Sequence, residues 1–157
     1  MTILARGRDL KTLHQMRRVF QLTLPEFKLL TVAWLLLVRT RLALWLLPWQ
    51  RMGTFADRPT AAGALRFSVG QLEWAVRAAS RMVPRATCLT QALTLNHLLR
   101  SDGYPGVVQI GVDNNDGRFA AHAWVECDGI PLLSSAGDIR RYSRFLTWPP
   151  AQPDLFR

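Results

Sequence analysis

The chain has 157 residues, enough for one domain, or one small domain with an appendage, and for a core of its own. Two cysteines exclude a disulfide framework, and three histidines with no close Cys or His pair argue against a zinc site and give no sign of a cofactor. The formal charge of +9, from 18 Arg and 2 Lys against 11 acids, implies an acidic partner, but with no stacking or groove-reading motif it does not imply nucleic acid.

Met1 to Arg8 forms a basic tail. Leu10, Leu13, Met16, Val19 and Phe20 recur at helical spacing, which predicts a short amphipathic helix over residues 9–20. Thr23-Leu24-Pro25-Glu26 has the pattern of a capping box with proline in the first turn, opening a strongly apolar helix to about Leu47, before Pro48. Its apolar runs, Leu29 to Val38 and Leu42 to Trp49, are separated by Arg39 and Arg41, and each is too short to cross a bilayer. A helix packed against the protein or a partner is expected, ahead of peripheral membrane contact. With no secretory signal the cytoplasm is the expected setting.

Gly53, Pro59 and Gly63 mark residues 49–67 as a linker, dividing an N-terminal helical region, 1–55, from a domain over 60–157. Ser68-Val69-Gly70-Gln71 is a second capping box, and its helix is expected to end at Pro84. Thr87 then caps a helix that begins at Cys88 and ends at Asp102-Gly103. After it the period changes to alternation. Gly106 to Val112 reads as a strand, residues 113–117 as a turn, and Arg118 to Cys127 as the partner strand. Asp128-Gly129 is a hairpin signal, followed by a third strand from Ile130 to Ser134 or Ser135. Residues 136–157 are mixed, with basic residues at Arg140, Arg141 and Arg144. The pattern predicts an α+β fold.

A cysteine in the first turn of a helix lies beside free amides and the positive end of the helix dipole, which favours the thiolate; the bland alternative is inert core packing. A nucleophilic Cys88 needs a base. His97 lies nine residues along the same helix, about half a turn round and ~13 Å away, too far to serve. His14 belongs to the N-terminal region. His122 remains, in Phe119-Ala120-Ala121-His122-Ala123-Trp124-Val125-Glu126-Cys127, sharing a strand face with Trp124 and Glu126 while Cys127 points the other way. A third group would orient the imidazole. A two-residue hairpin loop sets Ser135 opposite His122, a three-residue loop sets Ser134 there, and Asp138 contributes only if the strand bends or ends early.

These residues resemble the transglutaminase-like cysteine peptidases of lasso-peptide biosynthesis, in their stand-alone form. The resemblance rests on Ala86-Thr87-Cys88-Leu89-Thr90-Gln91-Ala92-Leu93, Leu98-Leu99-Arg100, Gly103-Tyr104-Pro105, Ile110-Gly111-Val112 and Ala121-His122-Ala123-Trp124-Val125-Glu126 followed by Asp128-Gly129. It implies a transglutaminase/papain-like core, a nucleophile-bearing helix packed on a small antiparallel sheet, preceded by an N-terminal helical region, whose apolar helices and surplus arginine suit partner docking. It also implies removal of a leader from a ribosomally made precursor, with Cys88 as nucleophile, His122 as base and the Cys88 N–H as an oxyanion donor. Where the family has an aspartate as third member, this chain has Ser134, and Asp138 is the alternative. The implied partners are the precursor leader, a small leader-recognition protein and an ATP-dependent macrolactam synthetase. An idle module that presents the leader, and acyl transfer to an amine, are the rival expectations.

Overall fold

The computed structural model describes residues 23–46, 67–113 and 119–148. The expected helix over 9–20, most of the linker and the turn between the first two strands lie outside them.

The first helix, α1, is continuous over Leu24–Leu46. Glu26 accepts from the Thr23 backbone N–H and from its hydroxyl, both at 2.9 Å, so half of the expected box forms. Arg39 and Arg41 do not interrupt the helix, because arginine is a good helix former. Taken whole, with both apolar runs joined in one helix, it is by length and composition alone long and apolar enough to cross a membrane, a test that a core helix also passes. Its inner face is nonetheless packed against protein. Leu29, Ala33 and Leu37 are buried in the same core as the next two helices, whereas Leu24 and Trp45 on the outer side are 80% and 79% exposed.

Helix α2 spans Val69–Ser80 and has the complete box, with Ser68 accepting from Gln71 N–H and Gln71 accepting from Ser68 N–H. It stops at Ser80, earlier than the expected Pro84, because residues 81–85 form turns that bring Val83 into the core. Helix α3, Cys88–Ser101, is capped by Thr87, whose hydroxyl accepts from Thr90 N–H. Its other end is closed by Gly103 at φ +85°: Tyr104 N–H bonds to Leu99 O and Gly103 N–H to Arg100 O. These bonds cap the Leu99 and Arg100 carbonyls, and the left-handed position suits glycine.

Four strands form one antiparallel sheet in the order β3-β2-β1-β4: β1 Gly106–Asp113, β2 Ala120–Cys127, β3 Ile130–Leu132 and β4 Ser143–Trp148. A one-turn helix, α4, spans Ala136–Ile139. The inner face, with Val108, Ala123, Val125, Cys127 and Leu132, joins the core made by the helices. Strand β4 and α4 were not expected from the sequence. Ser143–Trp148 has weak alternation, and its place in the sheet comes from pairing with β1, more than thirty residues earlier. The third strand ends at Leu132 and not at Ser134 or Ser135, since Leu133 takes a left-handed φ of +67° that leaves the sheet.

Leu37 is fully buried where α1 meets α2 and α3. Leu37→Ala is expected to lower the unfolding free energy by about 2–5 kcal/mol within a single cooperative transition, measured by urea denaturation.

Candidate active site

Cys88 is the first residue of α3, part-buried and packed against the inner core. Helix α3 lies on β1 and β2, and the two ends can be matched. A Cβ at Gly106 would meet Asn96 and Leu99, so the C-terminal half of α3 sits over Gly106, which pairs with Cys127. From there back to Cys88 is ~12–16 Å of helix. From Cys127 back to His122 is ~17 Å of strand. Lengths this similar let the start of α3 reach the His122 end of β2.

Strand alternation places His122, Trp124 and Glu126 together, as expected, on the face of the sheet away from the helices. Glu126 fixes this face. It accepts from the Trp124 indole at 3.2 Å, from Arg144 at 2.8 Å and from Gln109 at 3.3 Å. Trp124, 1% exposed, then forms a stacking surface for the imidazole at 6.2 Å between ring centroids, and Tyr142 lies tilted on it at 5.5 Å. Gly111 pairs directly opposite His122, and a Cβ there would stand 2.7 Å from Tyr142 Cβ and 2.9 Å from the Trp124 ring. A glycine at this position lets the two rings close on the strand.

The third position is resolved in an unexpected way. The hairpin closes through the two-residue loop Asp128-Gly129, both at positive φ, with Cys127 opposite Ile130. By count that register sets Ser135 opposite His122. The left-handed turn at Leu133 intervenes, and it is Ser134 Oγ that lies 2.5 Å from His122 Nε2. Ser135 instead caps α4, accepting from Asp138 N–H and donating to the Asp138 carboxylate at 2.7 Å. Asp138 is thus occupied by Ser135 and reaches His122 only through its charge.

The structure brings His122 and Ser134 into contact, with Asp138 nearby. Among the described residues no hydrogen bond joins Cys88 to His122; the thiol belongs to the helix side of the sheet and the imidazole to the outer side. Cys127 is buried in the inner core, and burial with the nearby Asp128 pushes its thiol pKa up, as befits an inert packing residue. Sequence reasoning missed Tyr142 and Glu73, which bonds to Leu133 N–H. The first depends on the turn after α4 and the second on a contact 60 residues apart. Among the described residues no group of three or more His, Cys, Asp or Glu side chains is placed to hold a metal.

A cysteine that opens a buried helix, set on an antiparallel sheet whose second strand carries a histidine, defines a fold of the cysteine-peptidase and acyltransferase type. The sequence model of the transglutaminase-like superfamily matches residues 34–147, from within α1 to β4, and the chain belongs to that superfamily. No curated protein and no solved structure matches the chain.

His122 has its pKa held below the ordinary 6.5, chiefly by burial and then by Arg141, while Asp138 pulls the other way. Arg141→Ala is expected to raise the His122 midpoint, and Asp138→Asn to lower it, each read from the ring resonances by NMR. His97 is also lowered, by burial and then by Arg39 and Arg100. For both, the unfolded chain binds more protons than the folded one just below pH 6.5, so stability rises with pH through that window and is level above it. Urea unfolding should show a weaker fold at pH 5.5 than at pH 7.5, with part of the difference removed in His97→Gln.

Proposed function

We propose that this protein is a cysteine peptidase that cleaves the leader from a lasso-peptide precursor in the cytoplasm. The observation that carries the reading is an N-capped Cys88 opening the helix packed on β2, the strand that carries an imidazole whose Nε2 is engaged by Ser134. With Ser134 accepting from Nε2–H, Nδ1 is left bare and can take the thiol proton. The lowered pKa of His122 keeps it neutral, and so able to act as a base, at pH 7.

In this mechanism the Cys88 sulfur attacks the scissile carbonyl, and the developing oxyanion is met by amides at the start of α3. His122 gives the proton to the departing amine as the C–N bond breaks, leaving a thioester. Water then attacks the thioester with His122 as base, and the carboxylate and free thiol are restored. Nucleophile-to-base hydrogen bonds are commonly loose or unformed before substrate arrives. Ser134 takes the place of an orienting carboxylate. A small leader-recognition protein would dock on the outer face of α1, where Leu24, Leu35, Leu42 and Trp45 are exposed, and an ATP-dependent macrolactam synthetase would take the freed core peptide.

A second reading has its own observation. His122 lies on the outer face with Trp124 and Tyr142 while Cys88 packs toward the helices, an arrangement that also suits an idle module presenting the leader to another enzyme.

Mass spectrometry of a lasso-peptide precursor incubated with its recognition protein separates these. Cleavage at one bond is expected with the native chain and none with Cys88→Ala, whereas an amine conjugate would indicate acyl transfer and binding without cleavage the idle module. Ser134→Ala is expected to lower kcat about tenfold, the worth of one orienting hydrogen bond, while Asp138→Ala leaves the rate of cleavage unchanged.

A further inference from the structure

Ser134 reaches His122 because the chain turns sharply at Leu133, and that turn has a specific support. Leu133 is a non-glycine residue at φ +67°, a conformation that L side chains rarely adopt. It follows the last residue of β3, so its N–H is outside the sheet ladder. That N–H donates to Glu73 Oε1 at 2.8 Å. Glu73 sits on α2, which precedes the cysteine helix, and its carboxylate is held in turn by Arg77, with Nε at 3.0 Å and Nη2 at 2.9 Å from the same oxygen. The Leu133 side chain packs against the inner core, and one residue later Ser134 stands on the outer face. A carboxylate on the helix layer thus pins the point at which the chain passes around the sheet edge.

We infer that Glu73 is a positioning residue for the His122–Ser134 pair, acting through the Leu133 amide. This rests on the reading of that pair as part of the reactive centre, but the geometry can be tested without it. The charged groups that act on His122 are Arg141 and Asp138, and Glu73 acts by fixing backbone. Without its acceptor the Leu133 N–H is left half-buried with no partner and the left-handed turn loses its tie.

The test follows the His122 ring titration by NMR in the full chain, for Glu73→Ala, Glu73→Gln, Ser134→Ala and the Glu73→Ala/Ser134→Ala double variant. Glu73→Ala is expected to shift the His122 midpoint in the same direction and by the same amount as Ser134→Ala, and the double variant no further. Glu73→Gln keeps an acceptor for the Leu133 N–H while losing the ion pair with Arg77, and is expected to titrate as the native chain does; it also serves where the alanine variant fails to fold. No shift in Glu73→Ala, a shift that adds to that of Ser134→Ala, or a glutamine variant displaced as far as the alanine one would each overturn the inference. Peptidase assays on the same set are expected to show kcat reduced about tenfold in Glu73→Ala with KM unchanged. NMR behaviour as expected in a chain that cleaves no precursor would uphold the positioning role and set aside the peptidase reading.

Discussion

A helix with almost no solvent face organises this protein. Between Thr90 and Leu99 every residue of α3 except Gln91 and His97 is buried, and the helix is packed at once by α1, α2, β1 and β2. Burial on this scale constrains polar groups as well as apolar ones. Thr94 bonds to Thr90 O within the helix and to Thr40 of α1, and Gln91 ties the first turn to Ala86 O. The position of Cys88 is therefore not a property of a loop. It is the free end of the most enclosed element in the fold, and the Thr87 cap stops the helix at that residue.

The sheet solves a different problem. Its inner face completes the core, while its outer face carries a polar and aromatic network centred on Glu126. Three donors converge on that carboxylate, one of them the indole that stacks on His122. The imidazole is held by ring surfaces and by one hydroxyl, with Asp138, the carboxylate whose charge acts on it, turned aside to cap α4. A serine in the third place leaves the histidine without a buried anion beside it, and burial together with Arg141 then sets its protonation. This differs in kind from a triad in which a carboxylate stabilises the imidazolium.

Much of this was legible in the sequence, for reasons that are local. Capping boxes, the glycine after α3 and the Asp128-Gly129 turn depend on neighbours within six residues, and each formed where its pattern stood, the Thr23 box in half. The alternation of His122, Trp124 and Glu126 assigned them correctly to one face. What the sequence did not disclose was non-local. Counting across the hairpin left Ser134 and Ser135 both open; the left-handed Leu133 sets Ser134 on His122 despite a two-residue loop, and the carboxylate that supports this turn is 60 residues away. Strand β4 was hidden because its pairing with β1, and not its own composition, makes it a strand. The continuous helix of α1, by contrast, was legible from its capping box, and its two arginines suit a helix interior.

The order of the strands has a consequence for how the protein is made. β1 is central, yet its second neighbour, β4, is the last of the described strands. As the polypeptide leaves the ribosome, the hairpin of β1 and β2 and the cysteine helix can assemble first, with β1 keeping an open edge. Tyr142 and β4 arrive afterwards, and only then is Trp124 covered and the histidine enclosed between its rings. A nascent chain stalled or clipped before residue 143 would present an unpaired strand beside an uncovered tryptophan, the combination that aggregation and quality-control factors recognise. Among the described elements, the surroundings of His122 are thus completed last.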